Sequence, residues 1–505
     1  MTDELLPACE VATMESSRTD NLDNARPARL RRALGPAVAT AVVVGNTIGS
    51  GIFLKPGNIA GDCGQFWLIL SVWVAGGVLC LLGALCVAEL ATMLPQAGGL
   101  YVYLREAYGK PVAFLFGWCE MLFSRPASTG ALAVAFIGSL TLALQWNVSA
   151  GKQVVLAIGL LAVLAWVNIL GVVWGGRVQF ATTVVKAGFL ALVALLPWLL
   201  LPWSERGLQL SNYATTVTPR LPSLSLQLSA VLLAVLWAYD GWHGLAPLAE
   251  EVRRPQRNIP LALLAGVGIL VLLYVAANVA YHGVLSMPEM KAAGNHAAEE
   301  MLRRLFGRFG MASMSAVILC SVFGALNSNL LYAPRVTFAM GRDGVFFREL
   351  GHVHATYRTP VIAIVVHAAM AAGLVVAVAW GRHLVRDVAA DALTGELARR
   401  TVLSLQGGTT FDVLTNCVVV SASIFYMLSV LAVVVLRYRR PELRRRYRTW
   451  GYPVTPLVFV AVYVWFLTQI YASHPLESRA GLLCIALGVP VYWLYRRWSG
   501  SRADG

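Results

Sequence analysis

Two short stretches of this chain place polar residues and glycines where an apolar helix would otherwise run. Val44-Gly45-Asn46-Thr47-Ile48-Gly49-Ser50-Gly51-Ile52-Phe53 holds three glycines, a serine and an asparagine. Trp237-Ala238-Tyr239-Asp240-Gly241-Trp242-His243-Gly244 holds two glycines, an acid and a histidine. Glycine lowers helix stability by about 1 kcal/mol relative to alanine. One glycine can serve close helix packing, but the Gly49-Ser50-Gly51 triplet reads as a break. A broken helix exposes N–H groups at the start of its second half, which attract a carboxylate. It exposes carbonyls at the end of its first half, which attract an ammonium. Two facing breaks therefore form a socket for a zwitterion. The amides of Ser50, Gly51 and Ile52 are the candidate carboxylate site. Carbonyls near Thr47, Ile48, Trp237 and Ala238 are the candidate amine site. Gly49, Tyr239, Asp240 and His243 complete the candidate binding set. The competing explanation is two unrelated glycine-rich packing faces.

Several ionisable residues fall inside apolar runs, among them Arg125, Lys186 and Asp240. A charge at mid-bilayer costs about 2.5–3.5 kcal/mol on insertion scales, so each needs a reason. Lys186 either snorkels to the nearer interface or holds a functional position. Asp240 either caps N–H groups freed at the second break or faces a substrate side chain and admits cationic substrates. His243 either lines the pocket or bonds a neighbour. Arg125 neutralises an acid or a helix end. Glu120 is a candidate partner, although five residues is not a spacing that shares an α-helical face. Glu89 reads as a gate or fold residue.

These residues need elements to carry them, and composition fixes what those are. The chain has 505 residues, 58% of them hydrophobic and 13% charged. Soluble domains average roughly 25% charged, so a soluble enzyme, a disordered tail protein and a disulfide-stapled secreted domain are excluded. What remains is an all-α integral membrane protein. Its twelve apolar runs lie at about 36–60, 66–92, 112–142, 153–170, 178–203, 226–249, 260–285, 311–340, 360–380, 411–436, 453–473 and 480–495. Each has about the length a crossing needs, the last being short, and backbone satisfaction in hydrocarbon makes them helices. With the N-terminus inside, 24 of the 40 Lys+Arg fall on inner segments, 13 on outer ones and three in the membrane. The basic excess thus sets topology, and anionic headgroups rather than nucleic acid are its partner. Two outer loops, 286–310 and 382–410, carry four basic residues each, against the rule.

The two breaks open the first and sixth spans, each the first helix of a five-helix half. Short or interrupted spans in corresponding positions point to an inverted-repeat transporter. The expected organisation is a cytoplasmic tail at 1–32, a first repeat at 33–203, a second repeat at 204–436 with a long outer 382–410 loop, and helices 11–12 with a cytoplasmic C-terminus at 437–505.

The chain resembles the L-type amino acid transporter family of the amino acid–polyamine–organocation superfamily. Gly45 to Phe53 matches that family's first-helix glycine signature. Val87-Ala88-Glu89-Leu90 and Pro95-Gln96-Ala97-Gly98-Gly99-Leu100-Tyr101-Val102-Tyr103 resemble its second-helix end and loop. Arg125-Pro126-Ala127-Ser128 resembles its third-helix motif. Trp237 to Trp242, with Glu250-Glu251 and Pro255-Gln256-Arg257-Asn258-Ile259-Pro260, resembles its sixth-helix signature. Arg448-Thr449-Trp450-Gly451-Tyr452-Pro453 looks like the bacterial members. The resemblance covers about residues 36–495. It implies the LeuT fold, with a 5+5 inverted repeat and broken helices 1 and 6, in the cytoplasmic membrane. It implies sodium-independent amino acid transport, usually exchange. It implies that Lys186 stands in for the sodium ion held between helices 1 and 8 in sodium-driven relatives, and that Trp237 is the gate over the substrate. His243 stands where many members have asparagine. Animal members bond a heavy chain through a cysteine between helices 3 and 4. Residues 143–152 contain none, so no disulfide-linked heavy chain is expected.

Other chemistries lack their residues. The eight cysteines form no CxxC pair and read as apolar packing. No phosphate loop, His-Glu-x-x-His motif or Cys/His cluster is present, so no cofactor, no metal and no catalytic residue is assigned. The runner-up readings are a proton-coupled permease, with Lys186 as the proton carrier, an amine or polyamine permease, and a non-transporting amino acid sensor. The side-chain pocket is expected around Thr47, Ser128, Gly324 and Asn416.

Overall fold

The computed structural model describes residues 30–200, 207–389, 395, 399, 402, 406, 410–473 and 475–501. Most of the predicted 1–32 tail and most of the 382–410 loop lie outside the described residues, as do the side chains of Asn416 and Cys417. The described chain is helical from end to end. Its elements are α1 (Pro36–Thr47), α2 (Gly51–Leu54), α3 (Pro56–Cys63), α4 (Phe66–Met93), α5 (Leu100–Tyr108), α6 (Lys110–Cys119), α7 (Arg125–Ala143), α8 (Ala150–Ile169) and α9 (Val172–Leu200). They continue with α10 (Leu224–Tyr239), α11 (Pro255–Val284), α12 (Met287–Ala293), α13 (Ala297–Tyr332), α14 (Pro334–Arg342), α15 (Val361–Val385), α16 (Thr410–Arg439), α17 (Val454–Ser473) and α18 (Pro475–Ser501).

Among the described residues, ten helical segments are long and apolar enough to cross a membrane. Two of the twelve predicted runs differ. The run at 226–249 yields only the 16-residue apolar α10, because the helix stops at Tyr239. The run at 480–495 lies within the longer α18, which carries Arg479, Arg496 and Arg497 and is not among the ten. Long apolar side chains such as Trp67, Trp166, Leu272 and Trp493 face outward. That suits a lipid solvent, which rewards apolar surface rather than penalising it.

Both breaks lie inside the helix bundle. α11 packs along α4, α1 and α9, and α13 packs against α7, α9 and α1. The break-bearing α1 is thus enclosed by α9, α11 and α13, so its freed backbone groups must be met by neighbouring helices or by the cavity it lines.

One further irregularity has a clear physical effect. Residues Glu120–Ser124 form a π-helical turn between α6 and α7. Its i→i+5 pattern brings residues five apart onto one face. Glu120 and Arg125 therefore meet, with Nε 2.9 Å from Oε2. An α-helix would have separated them.

Polar clamps fasten the helix ends. Glu89 on α4 accepts from Arg437 Nε and NH2 at 3.0 and 2.7 Å and from the Thr449 amide at 2.7 Å. It therefore ties α4 to the end of α16, a fold role. Residues 30–34, at the predicted tail boundary, are docked: the Ala33 and Leu34 amides both donate to the Glu251 carbonyl at 3.0 Å. The Glu251 carboxylate pairs with Arg335 on α14 at 3.0 Å, both side chains being fully buried. Removing one partner of such a pair leaves an uncompensated buried charge and costs about 3–5 kcal/mol. Glu251→Ala should therefore lower the thermal unfolding midpoint of the detergent-solubilised protein well below that of Arg342→Ala, which breaks a partly exposed pair with Glu250 and a contact with the Phe338 ring. Equal midpoints for the two variants would show that the buried pair does not hold the fold.

Candidate functional site

α1 ends at Thr47, and the chain turns through Ile48, Gly49 and Ser50 before α2 resumes. The Ile48 amide still reaches the Val44 carbonyl at 2.9 Å, and the Gly49 amide reaches Thr47 at 2.7 Å. Among the described residues, nothing accepts from the amides of Ser50, Gly51 and Ile52. They form the open N-terminal end of a short helix. α10 ends opposite, at Tyr239, and Gly241 takes φ +99°, a conformation that favours glycine. Asn46 Nδ2 donates to the Gly241 carbonyl at 2.9 Å, stitching one break to the other. The two chains cross so closely that a Cβ on Gly51 would lie 2.6 Å from Ala238 Cα.

The freed carbonyls have partners. Tyr274 Oη on α11 lies 2.9 Å from the Thr47 carbonyl and 3.0 Å from that of Ala238. Lys186 on α9 is fully buried. Its Nζ donates to the Gly45 carbonyl, to Ile48 at 2.6 Å and to Ser321 on α13 at 3.3 Å. Ser321 Oγ lies 2.9 and 3.0 Å from the Ile48 and Gly49 carbonyls, its one hydroxyl proton shared between them. The ammonium therefore sits at the C-terminal end of α1, where the helix dipole favours a cation. This geometry leaves no room for snorkelling.

Between the breaks lies a small cavity. Of the candidate binding residues, Thr47, Gly49, Ser50, Gly51, Trp237 and Asp240 line it. Ile48, Ile52, Ala238, Tyr239 and His243 do not. Ile48 and Ile52 are fully buried in the core, and Tyr239 packs on Tyr274 with centroids 4.9 Å apart. The His243 ring packs on Tyr426 at 4.7 Å. Ser128 on α7, expected near the pocket, also lines it. Gly324 instead faces Lys186, whose Nζ would be 3.2 Å from an added Cβ.

Three further lining residues are Leu132 on α7 and Ala325 and Asn329 on α13. Leu132 follows Ser128 by four and shares its helix face. The run Ala325-Leu326-Asn327-Ser328-Asn329 carried a legible signal, being a polar cluster in an apolar span. Asn46, which bridges the breaks, also touches the cavity.

Asp240 lines the cavity and is also paired. Its Oδ2 accepts from Arg125 NH1 at 3.0 Å and its Oδ1 from Tyr426 Oη on α16 at 2.7 Å. Its carboxylate is therefore engaged by side chains rather than by the amides freed at the break. Arg125 in turn bridges Asp240 and Glu120, donates to Tyr426 at 2.6 Å, and lies 5.5 Å from the Tyr332 ring centre. Among the described residues, no group of His, Cys, Asp and Glu side chains is arranged to hold a metal ion.

Comparison with known proteins accounts for this arrangement. Residues 34–489 match the amino acid permease family. The chain is 31% identical over 476 residues to the serine/threonine exchanger SteT of Bacillus subtilis, covering 94% of this chain and 98% of that one. It is 28% identical over 473 residues to the human b(0,+)-type amino acid transporter 1, covering 92% and 88%. It is 27% identical over 492 residues to the human cystine/glutamate transporter, covering 96% and 90%. The cavity between two helix breaks thus belongs to a multi-pass membrane transporter of amino acids, not an enzyme: this chain is a member of the amino acid permease family, within the amino acid–polyamine–organocation superfamily and among its L-type transporters.

Proposed function

We propose that this permease is a sodium-independent amino acid exchanger of the cytoplasmic membrane that works by alternating access. The observation that carries the reading is the position of Lys186. Its ammonium supplies a fixed positive charge between the end of α1 and Ser321 of α13, a place where a mobile cation would otherwise satisfy the same carbonyls. A site already filled by a side chain has no need of sodium.

The substrate carboxylate docks on the Ser50, Gly51 and Ile52 amides, and the amine on the remaining lone pairs of the carbonyls at the ends of α1 and α10. Trp237, which lines the cavity, closes over the bound substrate. The proposed frame is twelve spans with both termini in the cytoplasm, residues 33–203 and 204–436 forming two inverted five-helix repeats and 437–505 holding the last two helices. α1, α4, α10 and α11 rock against α7, α8, α13 and α15. Obligate exchange follows if the loaded form reorients faster than the empty one, a differential stabilisation of the occluded state. SteT, the relative named as an exchanger, supports this reading. No cysteine stands at 143–152, and we take the permease to act without a disulfide-linked heavy chain.

Labelled amino acids would be offered to sodium-free proteoliposomes, half of them preloaded with a mixed unlabelled pool. Uptake confined to the preloaded set is the expected result. Uptake in both sets makes the protein a facilitator, and stimulation by a pH gradient makes it proton-coupled. Absence of flux with binding retained would favour a sensor.

Two variants test the assignments within this site. Lys186→Ala strips a donor from three carbonyls and should slow exchange at least tenfold, on the order of 1–3 kcal/mol per unsatisfied group, at unchanged membrane insertion. A normal turnover number would remove its role. Gly51→Leu forces a side chain into Ala238 and should abolish exchange while the protein still elutes as a single species. Undiminished exchange would show that the amides at Ser50–Ile52 are not the carboxylate site.

A further inference from the structure

The wall of the cavity has little charge to offer a side chain, and that restricts what it accepts. Among the described residues, Asp240 is the one ionisable residue on it. Both of its carboxylate oxygens already have donors, Arg125 and Tyr426. Arg125 is itself held between Glu120 and Asp240. Two other polar lining residues are also engaged locally: Asn46 Nδ2 with the Gly241 carbonyl, and Thr47 Oγ1 with the Val43 carbonyl at 2.9 Å.

Three polar groups remain. Ser50 Oγ is buried, the residue being 2% exposed, and has no partner among the described residues. Ser128 Oγ accepts from Asn329 Nδ2 at 3.1 Å, which places a hydroxyl and a carboxamide side by side on the wall. The rest of the lining is small or apolar: Gly49, Gly51 and Ala325, with Leu132 and Trp237. The cavity is small, closed in by these side chains.

We infer that the permease selects small, uncharged amino acids whose side chain carries a hydroxyl, with Ser128 and Asn329 as its specificity-determining pair. This rests on the exchange reading above. The substrate's α-amino and carboxylate groups occupy the two helix ends, and its side chain then points toward α7 and α13. There a hydroxyl can join the Ser128–Asn329 pair, donating to one and accepting from the other. An isosteric methyl would desolvate the pair's remaining donor and acceptor sites without meeting them, the kind of mismatch that gives discrimination. A bulky ring would meet Leu132 and Ala325. An ammonium or carboxylate side chain would find no unengaged counter-charge.

The test compares labelled threonine with its isostere valine, and serine, phenylalanine, arginine and glutamate, in exchange with preloaded proteoliposomes. The expected result is threonine and serine as the fastest substrates, threonine exceeding valine by about fivefold, the worth of one net hydrogen bond. In Ser128→Ala and in Asn329→Ala the threonine-to-valine ratio should fall to about one. That ratio is internal to each preparation, so partial misfolding cannot imitate the effect. Should a variant fail to reconstitute, competition of the threonine and valine pair against labelled serine exchange in the unmodified protein gives the same ratio. Exchange led by phenylalanine, arginine or glutamate, a ratio near one in the parent, or an unchanged ratio in both variants would overturn the specificity while leaving exchange intact. Absence of exchange for every amino acid tried would overturn both.

Discussion

The site depends on one constraint: a backbone interrupted deep inside a helix bundle must still satisfy its hydrogen-bonding groups. Such groups must be met by other parts of the protein or by the cavity that the break lines, and each unmatched group costs several kcal/mol. α1 can stop at Thr47 because other helices supply the missing donors. Lys186 from α9, Ser321 from α13 and Tyr274 from α11 converge on carbonyls of residues 45–49 and on Ala238. The donors come from three elements, so the break holds its shape only within the assembled bundle. The amides on the other side of the break have no such protein acceptor. That asymmetry separates a structural half, saturated with donors, from a half left available to an anion.

A second layer of organisation lies behind the cavity. The π-helical turn at Glu120–Ser124 adds the residue that lets Glu120 and Arg125 face each other. Arg125 then reaches the second break through Asp240, and α16 through Tyr426. Burying one guanidinium with two carboxylates carries a large desolvation cost, which is met only by close and complete geometry. A cluster of this kind fixes the relative placement of α7, α10 and α16. It also explains why an acid on the cavity wall does not make the site simply anionic.

Much of this was legible in the sequence because bilayer physics writes strong signals. α4 spans Phe66–Met93 against a predicted 66–92, and α17 spans Val454–Ser473 against 453–473. Runs of apolar residues of that length have few alternatives. The glycine triplet at 49–51 and Gly241 marked the breaks because a helix interior tolerates them poorly. Lys186 stood out because a lone lysine in an apolar run demands a partner, although its partners were carbonyls that no spacing rule announces. The rest was silent for identifiable reasons. Tyr426 lies 301 residues from Arg125 and 186 from Asp240, and no local pattern links them. The π-helical turn has no spacing signature of its own, so Glu120 and Arg125 looked misaligned. Leu132 is an ordinary leucine whose importance comes only from the face it shares with Ser128.

Glu251 occupies a mechanical junction. Its backbone carbonyl receives two amides from the N-terminal segment, and its carboxylate grips Arg335 at the start of α14. It also closes the short turn of helix at Ala246–Glu251 that follows the second break. The Arg253 amide, two residues on, donates to the Leu34 carbonyl at 2.9 Å, so force on any of these strands of chain reaches the others through one short junction. Leu30 packs in turn with Phe338 of α14 and Ala363 of α15. The segment at 30–34 is thus a strap that joins the turn after the second break to two further helices.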